Sequence, residues 1–334
     1  MLKLPAIITG GTIAGDLRRD RLLINFSQVN TNAKNQKIKT PVLTDDGLGT
    51  HFLGIDAAIA KYNVLISPRP GKRQGIAEDI LLQTGGSIFD CVGGIEGYTL
   101  KNCGSKSPVQ KMGLFYLGGR GGEQPPNKNI RFIGCYGNGA VDEHILRAHN
   151  CVDCSAEDCS FLNDLNAPWA FKRGASFNIR DGSGWRLTRC MGSVLVLGPL
   201  ADGDGGINEK DPKERNRLLS RRLRNTLVED YQLVDGYVIV EAGVENLTIK
   251  GMKGRTPPKH GQTCWISFQK SYGPRGIPQD VTLSDCQIEI RRGETIFTGK
   301  AKNLRVDNCQ WKYTDEGNSA WKPIDKKTIQ RATG

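Results

Sequence analysis

Apolar and polar residues alternate in seven short segments of the chain, and each segment ends in a sulfur-containing residue. The second and fourth residues of each segment are mostly apolar, and the residue before the sulfur is mostly Gly, Asn or Asp. A period of two places the apolar pair on one face of an extended strand, and Gly, Asn and Asp favour turns. The pattern predicts short strands that end in a bend, at Gly97–Cys103, Asn129–Cys135, Asp153–Cys159, Gly184–Cys190, Asn246–Met252, Asp280–Cys286 and Asn303–Cys309.

The sulfur positions recur at intervals of 32, 24, 31, 62, 34 and 23 residues. Recurrence in this range is typical of solenoids, and the longest interval leaves room for one disguised or inserted coil. Helical repeats would need a sustained apolar period of 3.6 residues, which these segments lack. Parallel stacking of the strands would bury each apolar row against the next and satisfy the backbone groups. The sequence therefore predicts an all-β, single-stranded parallel β-helix.

The repeated phrase, an amide or small residue followed by alternating apolar residues, a turn residue and Cys, resembles the coils of right-handed parallel β-helix proteins. These proteins form the pectate-lyase-like superfamily, and the resemblance covers residues 93–313. It implies a right-handed solenoid with a substrate groove across the outer face of one sheet near its middle. The superfamily includes polysaccharide lyases, glycoside hydrolases, phage tailspikes and members without known catalysis, so function must be argued from the site itself.

We expect one domain of 334 residues. Its predicted parts are an N-terminal cap and first coils (1–92), central coils (93–199), an inserted basic arm (200–233), C-terminal coils (234–313) and a loosely attached tail (314–334). Within them, Ala6–Gly15 is predicted as strand, turn and strand, and Asp56–Tyr62 as a short helix. The stretch Lys213–Arg224 is predicted as a helix that directs arginines outward.

Six of the ten cysteines occupy the sulfur position of the repeat. They should stack along one edge as buried thiols rather than pair in disulfides, which favours a reducing compartment. The first residues lack the apolar core of a secretory signal, and no apolar run approaches the length of a membrane span. The expected location is cytoplasmic or virion-associated, and extracellular only if a signal has been removed.

A formal net charge of +11 favours polyanionic partners. Acidic polysaccharide is the favoured class, and nucleic acid is disfavoured because no recognisable nucleic-acid-binding module is present. The plainer alternative is that Lys and Arg only solvate the coil edges. A tailspike-like member would assemble as a homotrimer. No cofactor is expected; calcium at Asp202–Gly206 is the alternative, although the remaining ligand spacing of a calcium loop is missing.

Two central strands carry charged residues where an ordinary coil would carry apolar or hydroxyl residues: Asp142–Asn150 and Lys172–Asp181. If the coils are aligned on their cysteines, His149 lies level with Arg180. If they are aligned on Ile145–Arg147 and Asn178–Arg180, Arg147 stacks on Arg180 instead. Both alignments concentrate Arg, His and Asp in a small area, because stacked strands lie about 4.8 Å apart.

This cluster suits β-elimination of a uronic-acid polymer, which needs a cation for the substrate carboxylate and a base for the neighbouring proton. Arg147 and Arg180 suit the first role, and His149 or Lys172 the second. The substrate-binding candidates are Arg120, His144, Asn150, Asp181 and Glu241.

A glycoside hydrolase would instead need a pair of carboxylates. Asp142, Glu143, Asp181 and Glu241 could supply one, but the motifs of polygalacturonases are absent. A third interpretation is an Arg, Asp and His ladder that only stabilises the coils. The leading hypothesis is therefore a β-helix that binds, and as a lyase cleaves, an acidic polysaccharide. The alternative is a non-catalytic structural or adhesion β-helix, such as a viral or surface component.

Overall fold

The computed structural model describes residues 22–26, 40–45, 51–59, 63–68, 70–72, 75–84, 86–91, 93–105, 113–118, 125–138, 144–163, 174–199, 210–257, 264–269, 276–314 and 319–334. These residues form 35 strands and two helices. The strands belong to two sheets, of 20 and 15 strands.

The strands and helices are short, and they are numbered in chain order. The N-terminal strands are β1 Leu22–Phe26, β2 Thr40–Asp45, β3 His51–Leu53, β4 Ile55–Ile59, β5 Asn63–Pro68, β6 Gly71–Lys72, β7 Ile76–Glu78, β8 Leu81–Thr84 and β9 Ser87–Cys91. The central strands are β10 Ile95–Glu96, β11 Thr99–Lys101, β12 Gly104–Ser105, β13 Phe115–Leu117, β14 Asn127–Lys128, β15 Arg131–Ile133, β16 Tyr136–Asn138, β17 Leu146–Ala148, β18 Cys151–Val152, β19 Ser155–Glu157, β20 Ser160–Leu162, β21 Phe177–Ile179, β22 Gly182–Ser183, β23 Arg186–Thr188 and β24 Met191–Leu197. The C-terminal elements are α1 Pro212–Leu219, β25 Leu223–Glu229, β26 Gln232–Val240, β27 Val244–Lys250, β28 Lys253–Arg255, β29 Cys264–Phe268, β30 Gln279–Ser284, β31 Gln287–Ile290, β32 Thr295–Gly299, β33 Arg305–Asp307, β34 Gln310–Tyr313, β35 Lys322–Pro323 and α2 Lys326–Ala332.

Successive coils stack in parallel, and their register brings the fourth residues of the repeat together in one row. Leu100 pairs with Phe132, Phe132 with Ala156, and Ala156 with Leu187. The row continues through the next coils, and all but its last member are buried. Among the described strand pairs, only β34 and β35 run antiparallel. The predicted parallel β-helix is therefore confirmed, with a row formed by Leu100, Phe132, Ala156, Leu187, Val228, Ile249, Leu283 and Val306.

The sulfur positions also form one column. The residues that directly follow them pair from coil to coil, as Tyr136 does with Ser160 and Ser160 with Met191. The Cys135 thiol donates to the Leu100 carbonyl at 3.4 Å, and burial raises its pKa well above the ordinary value. All ten cysteines are buried, and none is in a disulfide. Each thiol therefore packs as a small apolar group.

Left-handed backbone conformations mark the corners of each coil. The residue before the sulfur has a positive φ in every repeat, including Arg189 at 50°. The first residue of the repeat has one as well, for example Asn129 at 52°. At these corners, amide side chains join neighbouring coils: Asn308 Nδ2 donates to Asp285 Oδ1 at 2.7 Å, and Asn303 Nδ2 to Asp280 Oδ1 at 2.8 Å. Asn and Asp fit because they tolerate this conformation and can also bond to one another.

The long interval between Cys190 and Met252 contains both an insertion and a complete coil. Strands β25 and β26 form that coil, and Gln232 pairs with both Met191 and Lys253. Tyr231 therefore takes the place of the sulfur residue, and it is fully buried. The predicted arm at 200–233 is correspondingly shorter, because α1 ends at Leu219 and Leu223 already begins a strand of the sheet.

Coils are present within the segment 1–92, where the sequence predicted a cap and the first coils. Strand β1 pairs in parallel with β4, and β2 with β5, so the described residues of this segment already stack as coils from Leu22. The predicted helix at Asp56–Tyr62 is wrong over Asp56–Ile59, which belongs to β4. Pairing with β1 and β8 on both sides satisfies the backbone of this alanine-rich segment and overrides its helical preference. The predicted strands at Ala6–Gly15 lie outside the described residues.

The C-terminal tail is attached, contrary to the sequence-based expectation. Strand β35 pairs antiparallel with β34, and Ala301 forms a bridge with Thr333. Asp325 caps α2 by accepting a hydrogen bond from the Thr328 N–H at 2.8 Å. Ile324 and Ala332 are buried, so the tail covers the last coil as solenoids require. No helix among the described residues is long and apolar enough to cross a bilayer.

Candidate functional site

One strip of strands carries the charged residues that the sequence singled out. It contains β13, β17, β21 and the C-terminal parts of β24 and β26, which pair in that order. Side chains alternate between the two faces of a strand. Leu146, Ala148, Phe177 and Ile179 belong to the core, so Arg147 and Asn178 face outward. We call this surface the outer strip.

The structure decides between the two alignments of the charged strands. Arg147 pairs with Asn178 and Ala148 with Ile179, an offset of 31 residues. His149 therefore lies level with Arg180, as the alignment on the cysteines predicts, and Arg180 N–H donates to the Ala148 carbonyl. The alternative alignment, with Arg147 stacked on Arg180, is wrong. The apolar core fixes the register, because a shift of two residues would displace Phe177 from its inner row.

Arg147 and His149 are joined directly. Arg147 Nε donates to His149 Nε2 at 2.9 Å, and the guanidinium carbon lies 5.6 Å from the centre of the Tyr116 ring. Because Nε2 accepts this hydrogen bond, the proton of the neutral imidazole belongs on Nδ1. Nδ1 faces Asp181 Oδ1 at 3.8 Å, which is too long for a hydrogen bond.

Asp181 is the carboxylate of the group. Its Oδ1 accepts the Asn150 N–H at 2.8 Å, and its Oδ2 lies 3.6 Å from Arg221 Nε. Arg221 follows α1 and enters the site from the inserted segment. The seven residues Arg147, His149, Asn178, Arg180, Asp181, Arg221 and His144 are called the polar cluster below.

Both histidines of the polar cluster are neutral. His144 Nδ1 accepts a hydrogen bond from the Ala175 N–H at 2.8 Å, so the Nδ1 lone pair of His144 is occupied, as the Nε2 lone pair of His149 is. Burial lowers the pKa of His144 well below its ordinary value, and Arg180 and Arg147 lower it further. Burial likewise lowers the pKa of His149, followed by the charges of Arg147, Arg180 and Arg221. The imidazoles therefore experience a positive electrostatic environment.

Asn178 is the least satisfied member of the cluster. Its side chain is fully buried, yet neither Oδ1 nor Nδ2 has a hydrogen-bond partner among the described residues. An unsatisfied buried amide typically costs about 1–3 kcal/mol per group. Such a group calls for an explanation beyond packing, and its place beside Arg147 puts it within the candidate site.

Glu241 shares a register row with Arg180 and is separated from it by Gly198. Leu197 pairs with both Ile179 and Val240, which places the three residues level. Gly198 has a φ of +114°, and a Cβ there would lie 2.8 Å from the Cβ of Glu241. Only glycine fits, and its missing side chain leaves room between the two long charged residues. Beyond it, Ala175, Val194, Val196 and Tyr237 form a small outer apolar cluster.

The structure thus gathers His144, Arg147, His149, Asn150, Arg180 and Asp181, and it places Glu241 in a neighbouring row. Arg120, Lys172, Asp142 and Glu143 lie outside the described residues, as does the candidate calcium segment Asp202–Gly206. Within the described residues there is no group of three or more His, Cys, Asp or Glu side chains that could hold a metal ion.

The sequence analysis did not identify three residues that belong to the polar cluster or contact it: Tyr116, Asn178 and Arg221. Tyr116 and Asn178 could have been found by extending the cysteine alignment, since both share a row with Arg147. No comparable signal marks Arg221, because it reaches Asp181 only after the inserted segment returns to the sheet.

Comparisons with known proteins found no matching family model and no matching curated relative. Among solved structures, the catalytic domain of a GH87 alpha-1,3-glucanase, solved with tetrasaccharides, matches with a TM-score of 0.50 at 11% identity. The match covers 86% of this chain and 58% of that one, so the chain spans less than two thirds of the glucanase domain.

Two further solved structures match with lower TM-scores. A tailspike of an Acinetobacter phage has a TM-score of 0.33 at 10% identity, covering 90% of this chain and 54% of that one. A surface adhesin of Streptococcus pneumoniae has a TM-score of 0.31 at 12% identity, covering 86% and 88%. Identities this low speak to fold alone. Together with the parallel register of its coils, the similarity to the glucanase domain shows that the chain is a right-handed parallel β-helix protein.

Proposed function

We propose that the chain binds an acidic polysaccharide at the polar cluster and cleaves the bound polymer by β-elimination. The observation that carries the proposal is that three guanidinium groups, those of Arg147, Arg180 and Arg221, surround the neutral imidazole of His149, with Asp181 as the carboxylate paired with Arg221. Among the described residues of the polar cluster, three guanidinium groups stand against the carboxylate of Asp181, and they still outnumber the carboxylates when Glu241 is added. A partly enclosed positive site attracts anions, and arginine binds carboxylates in bidentate geometry.

A carbohydrate is the favoured anion for a geometric reason. Neighbouring strands of the outer strip lie about 4.8 Å apart and present side chains at regular intervals, which suits a repeating polymer. The structurally similar glucanase was solved with tetrasaccharides, so oligosaccharides are the first ligands to test.

The geometry also suggests how cleavage would begin. In the free protein, His149 Nε2 cannot act as a base because it accepts the Arg147 N–H. A substrate carboxylate that binds Arg147 would replace His149 as the acceptor and release this lone pair. The added negative charge would also raise the pKa of His149 towards the range of a useful base.

The released imidazole would then remove the proton from the carbon beside the carboxylate. The electron pair of that bond forms a double bond to the neighbouring ring carbon, whose bond to the glycosidic oxygen breaks. The leaving oxygen takes a proton from water, and the hydroxide that remains takes the proton from His149, which restores the neutral imidazole. Arg147 and Arg180 stabilise the negative charge that develops on the carboxylate.

The second candidate is a non-catalytic carbohydrate-binding or structural β-helix. It is favoured by one observation: the proton-accepting nitrogens of both His144 and His149 already hold hydrogen bonds. In that case, the polar cluster would only bind ligand or stabilise neighbouring coils.

The test measures binding and cleavage separately. The protein is titrated with alginate, pectate, glycosaminoglycans and a neutral glucan, and ultraviolet absorbance reports unsaturated uronate. We expect at least one acidic polymer to bind and to generate absorbance, and Arg147→Ala and Arg180→Ala to lose binding. Arg189→Ala is the matched control, because Arg189 is exposed and pairs with Glu157 and Asp158 on another strand row.

His149→Gln separates the two candidates. The Gln side-chain oxygen can still accept from Arg147, but it cannot take a proton, so binding should persist while cleavage is lost. Binding without absorbance in the wild type would support the non-catalytic candidate. No binding to any acidic polymer would refute the proposed binding and cleavage, and would leave only the structural form of the second candidate.

A further inference from the structure

Helix α1 lies on a connection that departs from the outer strip and returns beside it. The chain leaves the outer strip after Leu197. It returns at Arg222, whose carbonyl accepts a hydrogen bond from the Gly182 N–H at 2.9 Å. Gly182 directly follows Asp181, and Arg221 Nε approaches Asp181 at 3.6 Å. The C-terminal end of α1 is therefore anchored at the edge of the polar cluster.

The segment 210–224 is strongly basic. It holds seven Lys or Arg residues against Asp211 and Glu214. Three of the seven have a carboxylate partner at the anchored end: Arg221 pairs with Asp181, and Arg222 and Arg224 share Glu245. Arg222 also donates to the Leu219 carbonyl at 3.0 Å and so secures the end of the helix. The basic charge at this end is thus largely balanced.

The other end of the segment is different. Lys210, Lys213 and Arg215 are exposed, and none of them has a carboxylate partner among the described residues. Two exposed lysines on the strand rows, by contrast, are matched one coil away: Lys101 by Glu78 at 2.8 Å and Lys250 by Glu229 at 3.1 Å. What distinguishes the exposed cations of 210–215 is their position on a segment whose other end contacts Asp181 of the polar cluster.

We infer that α1 is an extended binding surface for the same acidic polymer, which it engages beyond the sugars held by the polar cluster. This inference rests on the proposed function of that cluster. Lys210, Lys213 and Arg215 would contact carboxylates of the protruding chain, and Arg221 connects this surface to Asp181. A polysaccharide is favoured over nucleic acid because the segment is anchored, through Arg221, at the cluster proposed to hold the sugars.

The experiment compares ligands of two lengths. A uronate tetrasaccharide and the corresponding long polymer, both of the class that the wild type binds, are titrated into the triple variant Lys210→Gln, Lys213→Gln, Arg215→Gln. We expect affinity for the polymer to fall about tenfold, as three exposed charge contacts would give, and affinity for the tetrasaccharide to stay the same. The salt dependence of polymer binding should also become shallower.

The matched control is a second triple variant, Lys101→Gln, Lys250→Gln, Arg255→Gln, which removes the same net charge from strands away from α1. These residues are exposed and each pairs with a carboxylate. Equal loss of polymer affinity in both triple variants would overturn the inference, because net charge alone would then explain it.

Three other outcomes are informative. Wild-type polymer affinity in the α1 variant would overturn the inference and leave the proposed function intact. If the wild-type protein binds no uronate tetrasaccharide, the proposed function of the polar cluster is refuted. Binding of duplex DNA that needs α1, with no uronate binding, would assign the helix to nucleic acid instead.

Discussion

The two faces of one strand, β21, contrast sharply. Phe177 points into the solenoid, is fully buried, and packs against Phe161 with ring centres 4.8 Å apart. Its neighbour Asn178 points to the outer strip, is equally buried, and has an amide without partners among the described residues. Burial of a Phe stabilises the fold by about 1.5–3 kcal/mol, whereas an unsatisfied amide costs a similar amount.

The difference teaches where to look for function. On the inner face the same kinds of residue recur from coil to coil, because each must fill the same space. On the outer strip Tyr116, Arg147, Asn178 and Val196 share one row but have nothing in common chemically. Folding alone explains the first row and not the second, so the second is the candidate for selection by a ligand.

The largest expected effect is on the inner face. Phe177→Ala should lower the free energy of unfolding by about 3–5 kcal/mol, because it removes contacts and leaves a cavity. The shift in the urea midpoint measures it. Phe177→Leu is the control and should cost less than about 1.5 kcal/mol. Equal effects of the two variants would mean that the core adapts to the loss, and the inner face would then be less strictly packed than the contrast requires.

The next effect concerns pH and the outer strip. The pKa values of His144 and His149 in the folded protein lie below their ordinary value of 6.5. Below pH 6.5 the unfolded chain therefore binds protons that the folded chain excludes, and stability is lost as the pH falls from that value. Each histidine contributes a slope of up to about 1.4 kcal/mol per pH unit.

Urea midpoints measured from neutral pH to pH 5 check this expectation, with His149→Gln as the comparison. The variant should show a shallower decline because it has lost one of the two titrating groups. An unchanged slope in His149→Gln would show that His149 is not a buried neutral imidazole.

A smaller effect with the opposite sign is expected at Asn178. Asn178→Val should raise the free energy of unfolding by about 1 kcal/mol, because it removes the unsatisfied amide, and should weaken binding of the acidic polymer. Urea unfolding and ligand titration of the same variant measure the two consequences. If the variant is destabilised, the amide has a structural partner, and the contrast with Phe177 is lost.

The smallest effect is expected on the exposed strand rows. Lys250→Gln should leave the thermal unfolding midpoint unchanged within repeat measurements, because solvent screens the pair of Lys250 with Glu229. Thermal unfolding at low and high salt measures it. A clear fall of the midpoint that salt removes would show that such exposed ion pairs stabilise the stack, and the exposed rows would then no longer serve as a reference for the outer strip.

The success of the sequence analysis differed between these faces for a physical reason. The period of two and the recurring turn residues are local signals, and they predicted the inner row and the left-handed corners. The helix expected at Asp56–Tyr62 failed because strand pairing from both sides overrode local preference. The coil with Tyr231 was hidden because an aromatic residue fills the sulfur position equally well.

The sequence by itself determined the fold, the positions of the buried rows and the concentration of Arg, His and Asp near the middle of the chain. Only the tertiary structure decided the register that sets Arg147 beside Asn178 and His149 beside Arg180. It alone showed that Arg147 occupies the lone pair of His149, and that Arg221 reaches Asp181 from the insertion. These contacts join residues from different coils, and their geometry depends on how the whole core packs, which no local pattern encodes.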